Sequence, residues 1–167
     1  MGIVERDFDC EDIHPIDILE SLAEAQSWDF DRIAADQIAV AIEGSWRTYS
    51  VTLAWSAHDE CLRLLAAFDL AVPVRRRAAL NSAMALANDL CWSGAFVHWP
   101  EQKLMAYRYG LNLSGGAQAS SAQIQEMVRA AVMACERFFP AFQLVAHGSE
   151  APEKALGIAM AEAYGRA

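Results

Sequence analysis

The segment from residue 92 to residue 113 constrains the fold more than any other part of the chain. Two runs rich in apolar and aromatic residues flank a polar turn at residues 100–103, a pattern that predicts a β-hairpin. Neighbouring side chains in a strand point to opposite faces. The first run alternates Ala95, Val97 and Trp99 with Phe96 and His98, and the second alternates Met105, Tyr107, Tyr109 and Leu111 with Leu104, Ala106 and Arg108. Neither face is cleanly polar, so we expect helices to cover one face and a protein partner to cover the other.

Four more strands are predicted upstream, at residues 28–33, 37–43, 46–55 and 61–70. The apolar residues of the third strand alternate with Thr and Ser, which is typical of a strand with one face in water. Only short turns separate these strands. We therefore expect antiparallel pairing, because parallel neighbours need a crossover of a dozen or more residues.

Helices are predicted at residues 15–26, at 74–91, from residue 120 onward and at 152–164. Pro15 and Pro152 suit the first position of a helix. Ser120 and Gln123 have the spacing of a capping box. Pro140 lies within the apolar pattern of the third helix, so we expect a kink or an end there.

These elements follow the order α-ββββ-α-ββ-αα, in which helices and hairpins are segregated. The order predicts an α+β fold, with helices packed on an antiparallel sheet of about six strands. A length of 167 residues fits one domain. We expect an acidic, loosely ordered lead-in at residues 1–13 and a single α+β domain at residues 14–167.

The charge and the cysteines limit the partners and the compartment. A net charge of −9 argues against nucleic acid and against an anionic membrane surface, because both require clustered Lys and Arg. The first residues are acidic, unlike a signal peptide, and no stretch has the length of an apolar membrane span. The four cysteines stand far apart. We therefore expect a cytoplasmic protein with reduced thiols.

No group of residues predicts a catalytic, cofactor or metal site. The four histidines stand alone in the sequence, and Cys10 with His14 lacks the further ligands of a structural zinc site. The turn at residues 114–116 lacks the Lys-Ser/Thr of a phosphate-binding loop. Cys61, Cys91 and Cys135 fall in or beside apolar patterns, so we expect inert thiols. The chain is thus expected not to be an enzyme and to hold neither cofactor nor metal.

Two groups of residues are predicted to contact a protein. The aromatic group is expected to be exposed, because short helices cannot cover both faces of a six-stranded sheet. The basic group lies at the start of a helix, where the dipole disfavours cations, so an acidic partner or the acidic lead-in is a candidate to bind it. The aromatic group comprises Trp46, Phe96, Trp99 and Tyr107, and the basic group comprises Arg75, Arg76 and Arg77.

Eight short segments together resemble the YbjN-like family of bacterial proteins. They are PIDILE at 15–20, WRTYS at 46–50, LAWS at 53–56, CWSGAF at 91–96, EQKLM at 101–105, YRYGL at 107–111, ERFFPAFQ at 136–143 and AEAYGRA at 161–167. The resemblance implies a fold similar to type III secretion chaperones, often dimeric, and a role as a "putative sensory transduction regulator". It carries over no catalytic residues. Fold similarity alone does not establish a function.

Two functions remain open from the sequence. The favoured hypothesis is a non-catalytic, chaperone-like protein-binding or regulatory module that forms a homodimer. The alternative is a small-molecule-binding protein or enzyme with a pocket between sheet and helices, around His98 and Arg108.

Overall fold

The computed structural model describes residues 13–164, and the predicted order of elements is confirmed. The elements are α1 Pro15–Gln26, β1 Asp29–Ala34, β2 Gln37–Glu43, β3 Thr48–Ser56, β4 Cys61–Asp69, α2 Arg77–Asp89, β5 Ala95–Trp99, β6 Leu104–Asn112, α3 Ser121–His147 and α4 Pro152–Tyr164. The predicted acidic lead-in at residues 1–13 lies outside the described residues, apart from Ile13.

The strands form one antiparallel sheet of six strands in the order β1-β2-β3-β4-β6-β5. The first four strands follow one another as hairpins. The second strand of the β5–β6 hairpin pairs with β4, so β5 lies at the edge of the sheet. The β5–β6 hairpin therefore extends the sheet formed by the first four strands, which gives the single antiparallel sheet predicted for an α+β fold.

Three helices, α1, α2 and α3, pack on one face of the sheet, within the part of the chain that the structure describes. α1 contacts β1, β2 and β3, α2 contacts β5, and α3 contacts β4 and β6. α4 packs against α2 and α3. The sheet side chains buried beneath this layer are Ile38, Val40, Ile42, Tyr49, Val51, Leu53, Leu62, Leu64, Ala66, Phe68, Phe96, Met105 and Tyr107. They form a single core with the apolar stripes of the helices.

Two helix boundaries differ from the sequence pattern. α3 continues through Pro140 to His147, so of the two outcomes expected at the proline, a kink or an end, the helix end does not occur. Buried residues on both sides, Phe138 and Phe142 among them, hold the helix against the sheet. The helix predicted from Val74 begins as a 3-10 turn, and its α-helical part starts at Arg77.

The starts of α1 and α3 are capped by residues that are close to them in the sequence. His14 precedes Pro15, and its Nδ1 accepts a hydrogen bond from the backbone N–H of Ile16 at 3.3 Å. The capping box of α3 is confirmed: Ser120 Oγ accepts from Gln123 N–H at 3.1 Å, and Gln123 Oε1 accepts from Ser120 N–H at 2.9 Å.

Candidate functional site

The sheet face opposite the helices, called here the open face, is uncovered in the part of the chain that the structure describes. Directly opposite residues of antiparallel strands share a face. Arg108 pairs with Leu65 on β4 and with Ala95 on β5, so these three side chains lie on the face that the helices leave free. Arg108 and Ala95 are exposed and Leu65 is half-buried, in contrast to the fully buried Leu64 beside it.

One half of the open face is small and acidic. The edge strand β1 contributes the exposed carboxylates Asp29 and Asp31. β2 and β3 contribute short side chains, namely Ala39, Ala41, Ser50, Thr52 and Ala54. Because these residues are small, another surface could approach the backbone of β2 and β3 closely.

The other half of the open face is largely apolar and carries two arginines and one aspartate, Asp69, which forms an ion pair with Arg47. Its apolar patch consists of Leu65, Ala67, Val97, Trp99 and Leu104. Arg63 and Arg108 flank this patch, and Arg63 forms an ion pair with Asp59. A shallow depression of about 700 Å³ here is lined by Arg63, Leu65, Val97, Trp99 and Arg108 among others. The patch confirms that neither face of the hairpin is purely polar.

Trp92 stands beside this half of the face and is 98% exposed. It lies in the connection between α2 and β5, next to Ser93 and Gly94, which line the depression. Sequence reasoning did not include Trp92 among the predicted contact residues. A tryptophan in water carries a large apolar surface that a protein contact would bury.

The predicted aromatic contact group is divided by the structure. Trp46 is 42% exposed, in the turn between β2 and β3, and Trp99 is half-buried on the open face. Phe96 and Tyr107 are only 2% exposed, so the expectation that they are exposed is wrong. They pair across β5 and β6 beneath α3, where the Phe96 ring lies 5.7 Å from that of Phe138. Alternation placed them on one face, but it could not show which face the helices cover.

The three arginines of the basic group have separate environments. Arg75 is exposed. Arg76 donates hydrogen bonds to the backbone carbonyls of Val145 at 2.7 Å and Glu150 at 2.8 Å. Arg77 is half-buried, and its Nε has no hydrogen-bond partner among the described residues. The run therefore does not form one basic surface, and Arg76 has a structural role.

The pocket suggested around His98 and Arg108 is not formed, because the two residues lie on opposite faces of the sheet. His98 pairs with Met105 on the helix side, whereas Arg108 pairs with Leu65 on the open face. Burial lowers the pKa of His98, the backbone of Leu70 opposes this, and the charge of Arg77 lowers it further. His98 is therefore neutral at pH 7, in an apolar setting.

A second concave surface, which sequence reasoning missed, lies between α1 and α3. This α1–α3 groove has a volume of about 420 Å³. Leu22, Trp28, Ile42, Val128 and Val132 are among the apolar residues that line it. The signal in the sequence is that Val128 and Val132, four residues apart, lie on the same side of α3 and widen its apolar stripe. A stripe of this width indicates that α3 has more apolar surface than the sheet alone covers.

Groups with potential reactivity are scattered. Among residues 13–164, no cluster of three or more His, Cys, Asp or Glu could hold a metal ion. Burial raises the pKa of the Cys91 and Cys135 thiols, which keeps them protonated and poorly nucleophilic. Cys61 is half-buried, and Cys10 lies outside the described residues.

The helices of the described region were also assessed for membrane insertion. None of them combines the length and the apolar character that crossing a bilayer requires.

Comparison with known proteins identifies a family. The crystal structure of YbjN, described as a putative transcription regulator from E. coli, aligns with a TM-score of 0.49 and 10% identity, covering 90% of this chain and 92% of that one. No curated protein matches the sequence. The sequence profile of the YbjN family, described as "Putative bacterial sensory transduction regulator", matches residues 15–144, well over half of the chain. The chain therefore belongs to the YbjN family.

Proposed function

We propose that this chain is a cytoplasmic, non-catalytic regulatory module that acts by binding protein, in a chaperone-like manner, through its open face. The observation that carries the proposal is the apolar patch on a sheet face that no described helix covers. Trp92, 98% exposed at the margin of that face, adds a further apolar surface. A soluble domain rarely leaves such a contiguous apolar surface in water without a use for it.

The composition of the face supports a protein as the ligand. Protein contact surfaces are enriched in aromatic residues and Arg. Trp92, Trp99 and Arg108 meet this description at one end of the open face. The apolar patch extends over three strands, β4, β5 and β6, and this breadth suits a protein better than a small molecule.

The proposal is tested by comparing two variants in crosslinking experiments in the native host. One variant changes the open face at Trp92→Ser, Leu65→Thr and Val97→Thr. The matched control changes exposed apolar residues elsewhere, Leu86→Ser and Val74→Thr. We expect the wild type and the control to form crosslinks to protein, either to other proteins or to a second copy of the chain, and we expect the open-face variant to lose them. Equal crosslinking by both variants would contradict the proposal.

A second candidate function is the binding of a small apolar molecule in the α1–α3 groove. The volume of about 420 Å³ and the apolar lining of Leu22, Ile42 and Val132 favour it. Filling the groove with Val132→Phe would abolish binding of an apolar fluorescent probe, read out through the emission of the probe itself. A probe that binds the filled variant equally well would exclude the groove.

A further inference from the structure

We infer that the open face binds the open face of a second copy of this chain, with β1 of each copy lying over β5 of the other. The inference rests on the proposed function for its surface and adds the occupant and its orientation. Three observations carry it: the order of side-chain sizes across the sheet, the separation of charge between its two edges, and the area of the face.

One row of residues across the sheet shows how the sizes match. Followed from β1 to β5 through the cross-strand pairs, the row reads Asp31, Ala39, Thr52, Leu65, Arg108, Ala95. Consider a two-fold axis that runs parallel to the strands, between β3 and β4. It places the row of one copy over the same row of the other copy in reverse order, so that the first residue lies over the last. Leu65 of one copy then lies over Thr52 of the other, and Arg108 lies over Ala39. Each large side chain meets a small one.

Charge is separated in the same direction. Asp29 and Asp31 are exposed at the β1 edge, and neither has an ion pair within residues 13–164. Arg108 is exposed toward the other edge and also lacks an ion pair among those residues. In the docked pair, Arg108 of one copy lies next to Asp31 of the other, and the two-fold axis makes this contact twice.

Charge also selects the orientation. Face-to-face packing about an axis perpendicular to the strands would place β1 over β1 of the second copy. Asp29 and Asp31 would then lie against their own copies, and like charges in an interface oppose association. Only the orientation with β1 over β5 brings Asp31 next to a cation, Arg108 of the other copy.

The area is sufficient for a stable dimer. Six strands about 4.8 Å apart, with residues rising about 3.3 Å each, give a face of roughly 700 Å². Two such faces bury about 1,400 Å², which is the size of a standard specific interface. Aligned packing of two sheets about 10 Å apart is a common arrangement in proteins.

Charge exchange tests the contact between Asp31 and Arg108. The variants are Asp31→Lys, Arg108→Glu and the two together, with Glu24→Lys on α1 as a control for net charge. Sedimentation equilibrium should show that each single change raises the dimer dissociation constant by about tenfold or more. The double variant should recover most of the wild-type affinity, and the control should leave it unchanged. Recovery by the double variant also shows that both substitutions permit folding.

Crosslinking tests the orientation. In a chain with Cys10, Cys61 and Cys91 replaced by Ser, Asp31→Cys and Ala95→Cys are introduced into separate copies, and the copies are mixed with a bismaleimide crosslinker that spans the roughly 10 Å between packed sheets. We expect the crosslink to join position 31 of one copy to position 95 of the other. Crosslinking of each variant with itself would overturn the proposed orientation.

Other results would overturn the inference as a whole. A monomer at every concentration would do so, as would a dimer unaffected by the single charge changes. Either result would leave the crosslinks to other proteins untouched, so failure of this inference can be told apart from failure of the proposed function.

Discussion

Glu136 on α3 holds the turn between β2 and β3 through its carboxylate. It accepts hydrogen bonds from Tyr49 Oη at 2.5 Å and from the backbone N–H of Ser45 at 2.8 Å. Gly44 permits this contact, because a Cβ at that position would collide with the Glu136 carboxylate and the Tyr49 ring. A single carboxylate thus fixes the turn that carries Trp46, one of the predicted contact residues.

The hydrogen bonds to Glu136 make its contribution to stability dependent on pH. Burial alone would raise the pKa of Glu136, but the donors Tyr49, Ser45 and Trp46 outweigh burial, so the folded-state pKa lies below the ordinary value of 4.5. The stabilisation is therefore present above about pH 4.5 and is lost as the pH falls through the folded-state pKa.

We expect Glu136→Gln to lower the free energy of unfolding by about 1–2 kcal/mol at pH 7, because three donors lose a charged acceptor. The difference from the wild type should shrink below pH 4.5. Urea denaturation between pH 3 and pH 7 measures it. A difference that stays constant over this range would show that the charge of Glu136 does not stabilise the turn.

At the scale of elements, the two edges of the sheet are treated differently. The backbone N–H of Phe96 on β5 donates to Asn88 Oδ1 at 2.6 Å, and the Asn88 amide donates to the carbonyl of Phe96 at 3.1 Å. One side chain from α2 thus replaces a neighbouring strand at this edge. At the other edge, β1 carries Asp29 and Asp31, and charges on an edge strand discourage strand addition.

We expect Asn88→Ala to destabilise the protein by about 2 kcal/mol, because it leaves both backbone groups of Phe96 without partners. Aggregation should also increase, since the uncapped edge can pair with another chain. Urea denaturation and light scattering measure these effects. Asn81→Ala, an exposed change on the same helix, is the control and should change neither quantity.

The end of α3 depends on one arginine of the basic run. Because Arg76 binds the carbonyls of Val145 and Glu150, Arg76→Ala should lower the free energy of unfolding by about 1–3 kcal/mol. Arg75→Ala, one residue earlier and exposed, should stay within about 0.5 kcal/mol of the wild type. Thermal and urea denaturation measure the stability of the two variants, Arg76→Ala and Arg75→Ala. Equal effects would mean that the two carbonyl contacts do not stabilise the fold.

For the whole molecule, one core joins all the helices to one side of the sheet. Phe96 lies near its centre, with its ring 5.0 Å from that of Phe142 and 5.1 Å from that of Tyr107. This packing leaves the opposite face of the sheet as the surface that remains available for a partner. The same layer arrangement therefore explains both the stability of the domain and the location of the candidate contact surface.

We expect Phe96→Ala to lower the free energy of unfolding by about 3–5 kcal/mol, because it leaves a cavity among rings from β5, β6 and α3. Trp92→Ser should change it by less than about 0.5 kcal/mol, since Trp92 is 98% exposed. The two variants are compared by urea denaturation at a protein concentration too low for the chain to associate. Similar losses would contradict the assignment of one residue to the core and the other to the surface.

The sequence by itself determined the class of the fold and the order of its elements. The alternation of apolar residues predicted the strands, prolines and the Ser120–Gln123 capping box predicted helix starts, and short turns predicted antiparallel pairing. These signals are local, because a strand's alternation and a helix's cap depend on residues only a few positions apart.

Only the tertiary structure decided which face of each strand is covered. Val97 and Phe96 are adjacent and both apolar, yet one lies on the open face and the other lies beneath α3. His98 and Arg108, which we had placed in one pocket, lie on opposite faces for the same reason. Burial depends on which helices pack on the sheet, and those contacts join residues far apart in the chain, such as Phe96 and Phe138.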